Sequence, residues 1–171
     1  LTQSVAPGPG VGIVHLGLDA FYHGFGAVYV AEAMAASRGD WGIVGVSLKN
    51  PTTRDALTPQ NWAYTSVTLA ENDESTKVIA VLENVLVAPE NPAAVLEAMA
   101  DPGVRIVSLT VTEKGYCHNP ATGVLTVDHP DIAHDLQQEI PRSAPGFLVR
   151  ALARRRAAGV PPFTILSCDN L

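Results

Sequence analysis

Short apolar runs alternate with segments of helical periodicity along this chain. The first run, VGIVHLG (11–17), is rich in β-branched residues and ends in glycine, and apolar residues then recur at helical spacing from Ala27 to Ala35. After a break at 37–40, the run WGIVGVSL (41–48) is nearly continuous in apolar residues, which is typical of a strand buried on both faces. We therefore predict a strand, a helix and a second strand, arranged as a βαβ unit.

The same alternation continues to the end of the sequence. The later segments are, in order, the apolar run VIAVLENVLV (78–87), the helical PAAVLEAMADP (92–102), the strand VRIVSLTVT (104–112), the helical GFLVRALARRRAAG (146–159) and the strand FTILSCD (163–169). Strands that alternate with helices predict an α/β fold with a doubly wound, mostly parallel sheet. We expect a flexible N-terminal tail over residues 1–10 and one domain over residues 11–171.

The composition of the chain restricts its class. A chain of 171 residues that is 47% hydrophobic can bury a core of its own. The net charge of −6 argues against a nucleic-acid partner, and no apolar run approaches the ~20 residues that span a membrane. The N-terminal residues lack the pattern of a signal peptide, so we expect a cytoplasmic protein with no membrane partner. The two cysteines, Cys117 and Cys168, are then expected to be reduced thiols.

Polar residues follow most of the predicted strands. In an open parallel sheet, ligands bind at the carboxyl ends of the strands. The segments at these ends are 17–25, 49–55, 112–116 and 168–170, and three of the four are polar although each follows an apolar run. The sequence therefore predicts a ligand site where these segments meet.

Several of these segments carry a family resemblance. The blocks are TVTEKGYC (110–117), HPDIAHDL (129–136), PRSAPGFLVRALARRRAAGVPPFT (141–164), SCDNL (167–171), DWGIVGVSLKNPTTRDAL (40–57) and WAYT (62–65). Together they resemble the long-chain mannitol dehydrogenase family, which includes mannitol 2-dehydrogenases and fructuronate reductases (D-mannonate oxidoreductases). The form TEKGYC is slightly closer to the fructuronate reductase branch.

The resemblance implies a fold and an activity. The fold would be the Rossmann-like dinucleotide-binding domain, and the activity that of an NAD- or NADP-dependent oxidoreductase that interconverts a sugar alcohol or aldonate with its 2-keto sugar. Members of the family are longer, and a helical C-terminal domain supplies their catalytic lysine with its asparagine and histidine partners. None of these can be located here, so we expect a truncated chain that lacks this domain and is inactive alone. The alternative is a non-catalytic nucleotide-binding or interaction module.

The turn after the first strand departs from the family pattern. The resembled family has G-x-G-x-F-H-R-A-H there, whereas this chain has GLDAFYHGF (17–25), so Gly17 and Phe21 match and Asp19 replaces the second glycine. That glycine normally lets the backbone approach the pyrophosphate. The Asp19 carboxylate could repel the phosphates, or it could turn outward and cap a helix that begins near Gly24. We keep Gly17, Asp19 and Phe21 as candidate cofactor-binding residues.

The other candidate cofactor residues lie after later strands. An acidic residue that binds the adenosine ribose of NAD normally follows the second strand, but here Lys49 and Arg54 come before the first acid, Asp55. These cations could accept the 2′-phosphate of NADP or be merely solvated, so the choice between NAD and NADP stays open. The resemblance places Thr112 and Glu113 against the cofactor.

The last candidate is Asn170, at the end of the final predicted strand. Its amide could donate to a developing alkoxide or to the cofactor, or it could close the strand in an Asx turn. Other polar groups receive structural interpretations: His15 is predicted to be a hydrogen-bonded core residue, and the histidines and aspartates of HPDIAHD (129–135) are predicted to lie at the surface without a metal. The triplet Arg154–Arg156 is predicted to stabilise the C-terminal end of a helix.

Overall fold

The computed structural model describes residues 9–70 and 73–169 of the chain. In chain order the strands are β1 Val11–Leu16, β2 Gly42–Ser47, β3 Tyr64–Ala70, β4 Asp73–Ile79, β5 Leu82–Val87, β6 Ile106–Leu109 and β7 Thr164–Ser167. The helices are α1 Ala20–Gly24, α2 Gly26–Ser37, α3 Thr52–Leu57, α4 Pro92–Ala100, α5 Thr112–Gly115, α6 Pro130–Gln137 and α7 Ala144–Ala157, and a 3₁₀ turn spans Thr58–Gln60.

Five strands form one parallel sheet in the order β5-β2-β1-β6-β7. The chain moves outward from β1 through β2 to β5, then returns to the other side of β1 for β6 and β7. The order therefore reverses between β1 and β6, and this switch point is where doubly wound sheets bind ligands. The predicted α/β class and the Rossmann-like, doubly wound parallel sheet are confirmed.

Helices cover both faces of this sheet because its strands alternate side chains between the two. Val14 and Leu16 of β1 face a core formed with α4 and α7, in which Phe147 is the largest buried side chain. Ile13 of the same strand faces a second core formed with α1, α2 and α3. Since both faces are covered, β2 is buried along its whole length, as its continuous apolar run predicts.

Two sequence predictions about the elements need correction, and one element was missed. The run at 78–87 is divided between β4 and β5, and β4 pairs antiparallel with β3 in a ribbon separate from the main sheet. The sequence did not predict this ribbon, because its residues are mostly exposed and their hydrophobicity alternates only weakly. The first helix begins at Ala20 rather than near Gly24.

The predicted N-terminal tail falls mainly outside the described residues. Of its last two residues, which are described, Gly10 is held at the start of the sheet. Its N–H donates to Asp40 Oδ1 at 2.9 Å, and its carbonyl accepts from the N–H of Gly42 at 3.0 Å. Gly10 is therefore hydrogen-bonded to the folded domain, and the flexible tail over residues 1–10 stays a prediction.

The arginine triplet lies in the last turn of α7, as the sequence predicts, and its middle member has a further role that was not predicted. Arg155 is only 3% exposed, and its guanidinium donates to the carbonyls of Met99, Asp101 and Pro161. Arg155 therefore ties α7 to the end of α4, while Arg154 and Arg156 remain exposed.

Other expectations concern thiols and membranes. Cys117 and Cys168 are both free thiols. Within residues 9–70 and 73–169, no helix has the length and apolar character needed to cross a bilayer.

Candidate functional site

A cleft of about 280 Å³ opens at the carboxyl ends of β1, β2 and β6. This volume is just below the range of roughly 300–1,000 Å³ that is typical of ligand pockets. The residues that line it include Gly17, Asp19, Lys49, Asn50, Thr53 and Thr112. The structure thus brings together four of the residues predicted from the sequence, Gly17, Asp19, Lys49 and Thr112, at the switch point of the sheet.

Gly17 forms the tight turn at the floor of the cleft. Its φ is +92°, and its N–H donates to the carbonyl of Val46 in β2 at 2.9 Å. A Cβ at this position would lie 2.2 Å from the carbonyl oxygen of Thr110, beyond β6. Glycine is required here because the turn is left-handed and is enclosed between two neighbouring strands.

Asp19 is the N-cap of α1. Its Oδ1 accepts a hydrogen bond from the N–H of Tyr22 at 2.9 Å, so the capping alternative raised by the sequence describes its geometry. The same carboxylate is exposed and lines the cleft. Capping therefore does not remove the negative charge from the place where the phosphates of a dinucleotide would lie.

Buried polar side chains support the Gly17 turn from below. His15 is fully buried, with Nδ1 2.9 Å from Ser108 Oγ and Nε2 2.9 Å from Thr110 Oγ1. The Thr110 hydroxyl donates to the Gly17 carbonyl at 2.8 Å, so its lone pair is left to accept from Nε2–H. The prediction of a hydrogen-bonded core histidine is confirmed. Ser108 and Thr110 were missed, although their alternate positions, in β6 and directly after it, signal a polar pair on one face.

Burial lowers the pKa of His15 to about 3, so the imidazole is neutral at pH 7. The Tyr22 ring stacks on it, with ring centroids 3.3 Å apart. Protonation would place a positive charge in a fully buried site and would require Nδ1 and Nε2 both to donate.

We expect His15 to make the stability of the domain depend on pH. The unfolded chain binds a proton near the ordinary histidine pKa of 6.5 and the folded chain only near 3, so stability is lost as the pH falls through this window. The slope should reach about 1.4 kcal/mol per pH unit. Urea unfolding of His15→Gln, which keeps a donor and an acceptor, should show a slope smaller by this amount between about pH 6 and 4.5. An unchanged slope would show that His15 does not titrate as its burial implies.

A second polar cluster holds the turn after β6. The Asp169 carboxylate accepts from the N–H groups of Val111 and Thr112, at 3.1 and 3.0 Å, and from the Tyr116 hydroxyl at 2.7 Å. Burial first, and then the neighbouring Asp169, raise the pKa of Tyr116 to about 12, although its bond with Ser167 opposes this. Thr112 has a φ of +64°, which is uncommon for a β-branched residue, so the clamp fixes a strained turn at the edge of the cleft.

The loop after β2 contributes the cation of the cleft. Lys49 is exposed and lines it. Arg54, the other cation that the sequence singled out, forms ion pairs with Asp55 at 2.9 Å and with Glu90. The hydrogen bond to Glu90, and then the one to Asp55, raise the pKa of the Arg54 guanidinium. The charge of Arg54 is therefore paired with these two carboxylates, and Arg54 does not line the cleft.

The sequence that forms this cleft matches a known family. The family model of the mannitol dehydrogenase Rossmann domain covers residues 11–171. The chain belongs to the mannitol dehydrogenase family. The resemblance drawn from its sequence blocks is thus confirmed.

Individual relatives of this mannitol dehydrogenase domain are similar over nearly all of it. A mannitol 2-dehydrogenase of Pyrenophora tritici-repentis is 45% identical over 164 residues, which are 94% of this chain and 29% of that protein. The structure of Pseudomonas fluorescens mannitol 2-dehydrogenase in a ternary complex with NAD and D-mannitol superposes with a TM-score of 0.89 at 37% identity, covering 95% of this chain and 34% of that one.

A D-sorbitol dehydrogenase in substrate-free form is also similar, with a TM-score of 0.91 and 36% identity over 96% of this chain and 35% of that one. The chain therefore spans about a third of the length of the relatives that it matches.

Two other predicted site residues of this mannitol dehydrogenase domain, Phe21 and Glu113, do not line the cleft. Phe21 is 53% exposed and packs against Phe25, with ring centroids 5.1 Å apart. Glu113 is exposed on α5. Asn170 lies outside the described residues. Asp169 was not predicted as a site residue, although its position beside Asn170 at the end of the last strand gave a signal.

The HPDIAHD segment holds a structural carboxylate and not only surface residues. Asp135 is 9% exposed and accepts from the N–H groups of Arg142 and Ser143, at 2.8 and 3.0 Å, and from Ser143 Oγ at 2.6 Å. Burial alone would raise the pKa of Asp135, but hydrogen bonds from Ser143, His134 and Arg142 outweigh it and lower the pKa. The predicted surface role is thus wrong for Asp135, which secures the start of α7. No potential metal cluster occurs among the described residues.

A larger cavity, of about 700 Å³, lies beside the cleft and is lined by Pro89, Ile140, Pro141 and Phe147 among others. It shares Leu48 with the cleft but is enclosed by α6 and α7 and not by the turn after β1. We assign the functional site to the smaller cleft, because it lies at the switch point of the sheet.

Some residues of the cleft favour a bound dinucleotide and one opposes it. Gly17 gives the tight turn that a Rossmann phosphate site requires, and Lys49 offers a cation after β2. The Asp19 carboxylate stands where the family pattern has a second glycine, and its charge opposes the pyrophosphate. The fold and the β2 end therefore fit a dinucleotide, while the turn after β1 weakens the fit.

Proposed function

We propose that this chain is the dinucleotide-binding domain of an NAD(P)-dependent oxidoreductase. The enzyme would interconvert a sugar alcohol or aldonate with its 2-keto sugar, of the mannitol/fructose or mannonate/fructuronate type. The observation that carries the proposal is the cleft at the switch point of the sheet. Residues 11–171, which include this sheet, match the mannitol dehydrogenase Rossmann domain. The mannitol and sorbitol dehydrogenases among its relatives favour a polyol substrate.

The residues around the cleft would bind and orient the cofactor. A bound nicotinamide would supply the hydride acceptor or donor. The Gly17 turn would receive the pyrophosphate against backbone, and Lys49 would meet the adenosine end. Thr112, fixed by the Asp169 clamp, would lie on the nicotinamide side. Asn170 follows directly on this clamp, which supports the proposal that its amide contacts the cofactor or the substrate alkoxide.

The geometry gives less support to the other two candidates. Phe21 and Glu113 are exposed and lie outside the lining of the cleft, so the shape of the cleft does not support direct contact with the cofactor. Their proposed cofactor role rests on the family resemblance alone.

A second function is favoured by one observation, the Asp19 carboxylate in the phosphate turn. With this charge in place, the domain would be a non-catalytic nucleotide-binding or interaction module, and an interaction module would bind no dinucleotide. The two functions differ in a direct measurement, the calorimetric titration of the purified chain with NAD and with NADP.

We expect the 171-residue chain to bind a dinucleotide and not to turn it over. The chain spans about a third of its relatives, and the family resemblance places the catalytic lysine in the part beyond it. Titration with NAD and NADP should therefore give saturable heat, whereas incubation with either cofactor and D-mannitol, D-sorbitol or D-mannonate should produce no reduced cofactor. Absence of binding to both cofactors would support the interaction module, and turnover would show that the chemistry resides in this domain.

A further inference from the structure

Two charged side chains line the cleft, and they follow different strands of the sheet. Of the described residues that line it, Asp19 is anionic and Lys49 is cationic. Asp19 follows β1 and Lys49 follows β2. In a doubly wound sheet, the pyrophosphate lies at the turn after the first strand and the adenosine ribose at the end of the second. The cation therefore stands at the ribose end.

The carboxylates near the ribose end are already engaged. A domain that selects NAD uses an acidic residue there to accept hydrogen bonds from the ribose hydroxyls, and the same acid repels the 2′-phosphate of NADP. Asp55, the first acid after β2, is ion-paired with Arg54, and so is Glu90, which follows β5. Neither lines the cleft.

Lys49 lines the cleft together with uncharged polar residues. In the described part of the chain, Lys49 forms no ion pair. Thr53 also lines the cleft and carries a hydroxyl that can donate to a phosphate oxygen. The neighbouring loop is fixed by its own hydrogen bonds, from Ser47 Oγ to the Asn50 carbonyl at 2.5 Å and from the Thr52 N–H to Asn50 Oδ1 at 3.1 Å. The backbone that carries Lys49 is thus held before a ligand arrives.

We propose that Lys49 makes this domain prefer NADP over NAD by binding the 2′-phosphate on the adenosine ribose. This inference rests on the proposed function and goes beyond it, because it assigns one cofactor and one residue that selects it. It also separates this chain from the Pseudomonas fluorescens relative, whose structure contains NAD.

The experiment compares two small probes that differ in the 2′-phosphate alone, adenosine 2′,5′-bisphosphate and 5′-AMP. Calorimetric titration of the purified chain should show the bisphosphate binding about tenfold tighter, the size of one charge-assisted contact. Lys49→Ala should remove this advantage and change 5′-AMP binding by less than about twofold. Because Lys49 is exposed, the thermal melt of the variant should match that of the wild type.

A matched control removes the same charge elsewhere. Lys77→Ala lies on β4, where Lys77 pairs with Glu32 at 3.0 Å, and it should leave the affinity for both probes unchanged. Lys49→Glu should go further and make 5′-AMP the better ligand. The advantage of the bisphosphate should also shrink as the salt concentration rises, because the site is open to solvent.

The possible failures are distinguishable. Equal affinity of the wild-type chain for the two probes, or an equal loss for both in Lys49→Ala, would overturn the inference and leave the proposed function standing. A loss in Lys77→Ala as large as that in Lys49→Ala would assign the preference to net charge and overturn the role of Lys49. If NAD, NADP and both probes fail to bind, the proposed function falls and the inference with it.

Discussion

Gly17→Ala should lower the free energy of unfolding by about 2–4 kcal/mol. Two terms contribute: a φ of +92° costs an alanine roughly 1–2 kcal/mol, and a Cβ 2.2 Å from the Thr110 carbonyl oxygen must displace backbone, which costs about as much again. The change also moves the turn that would receive the pyrophosphate, so dinucleotide binding should fall with stability. Urea unfolding monitored by circular dichroism measures the first effect, and calorimetry the second.

Other glycines of the chain separate the two terms. Gly123 has a φ of +69° with open space around its Cβ position, so Gly123→Ala should show the conformational cost alone, about 1 kcal/mol. Gly24, at the end of α1, also has open space and lies outside the positive-φ set, so Gly24→Ala should be neutral or stabilise by up to about 1 kcal/mol. If Gly17→Ala destabilised the domain no more than Gly123→Ala, the close approach to Thr110 would not be a constraint.

Asp19→Gly should strengthen dinucleotide binding, by about tenfold to a hundredfold. Two unit charges 4 Å apart repel by about 1 kcal/mol at the dielectric constant of water and about 4 kcal/mol at an effective value of 20, and this exposed carboxylate lies between these limits. Glycine also restores the close backbone approach. The cost in stability should be a few tenths of a kcal/mol, because glycine is a tolerated N-cap. Calorimetric titration with NAD and NADP, alongside a thermal melt, measures both.

Asp19→Asn is the matched control, because it removes the charge and keeps the cap. Asparagine accepts the Tyr22 N–H as well as aspartate does, so stability should not change. A gain in affinity shared by both variants would be electrostatic and should shrink at high salt, whereas a gain specific to glycine would come from the backbone approach. Unchanged affinity in both variants would show that Asp19 serves as a helix cap only and exclude the repulsion.

Local signals in the sequence were sufficient for the main elements of the sheet. The strands at Val11–Leu16 and Gly42–Ser47 carry β-branched, nearly continuous apolar runs, and the helix at Gly26–Ser37 has apolar residues at helical spacing. The ribbon of β3 and β4 was missed because most of its side chains are exposed, so no buried face imposes an alternating pattern.

The candidate site was predictable in position but not in detail. Gly17, Lys49 and Thr112 were found by asking which residues follow strands, since parallel strands end at one edge. The same rule did not distinguish Phe21 and Glu113, which follow strands but lie outside the cleft, because it gives no side-chain direction.

The sequence by itself determined the α/β class, the family and the unusual Asp19, because each depends on residue types within a short segment. Only the tertiary structure decided which charges are free in the cleft and which are neutralised. Arg54 meets Glu90 across 36 positions of sequence, and Asp169 meets the Thr112 N–H across 57. Contacts of this kind depend on the order of strands in the sheet. That order depends on how both faces are covered, and no local pattern of residues encodes it.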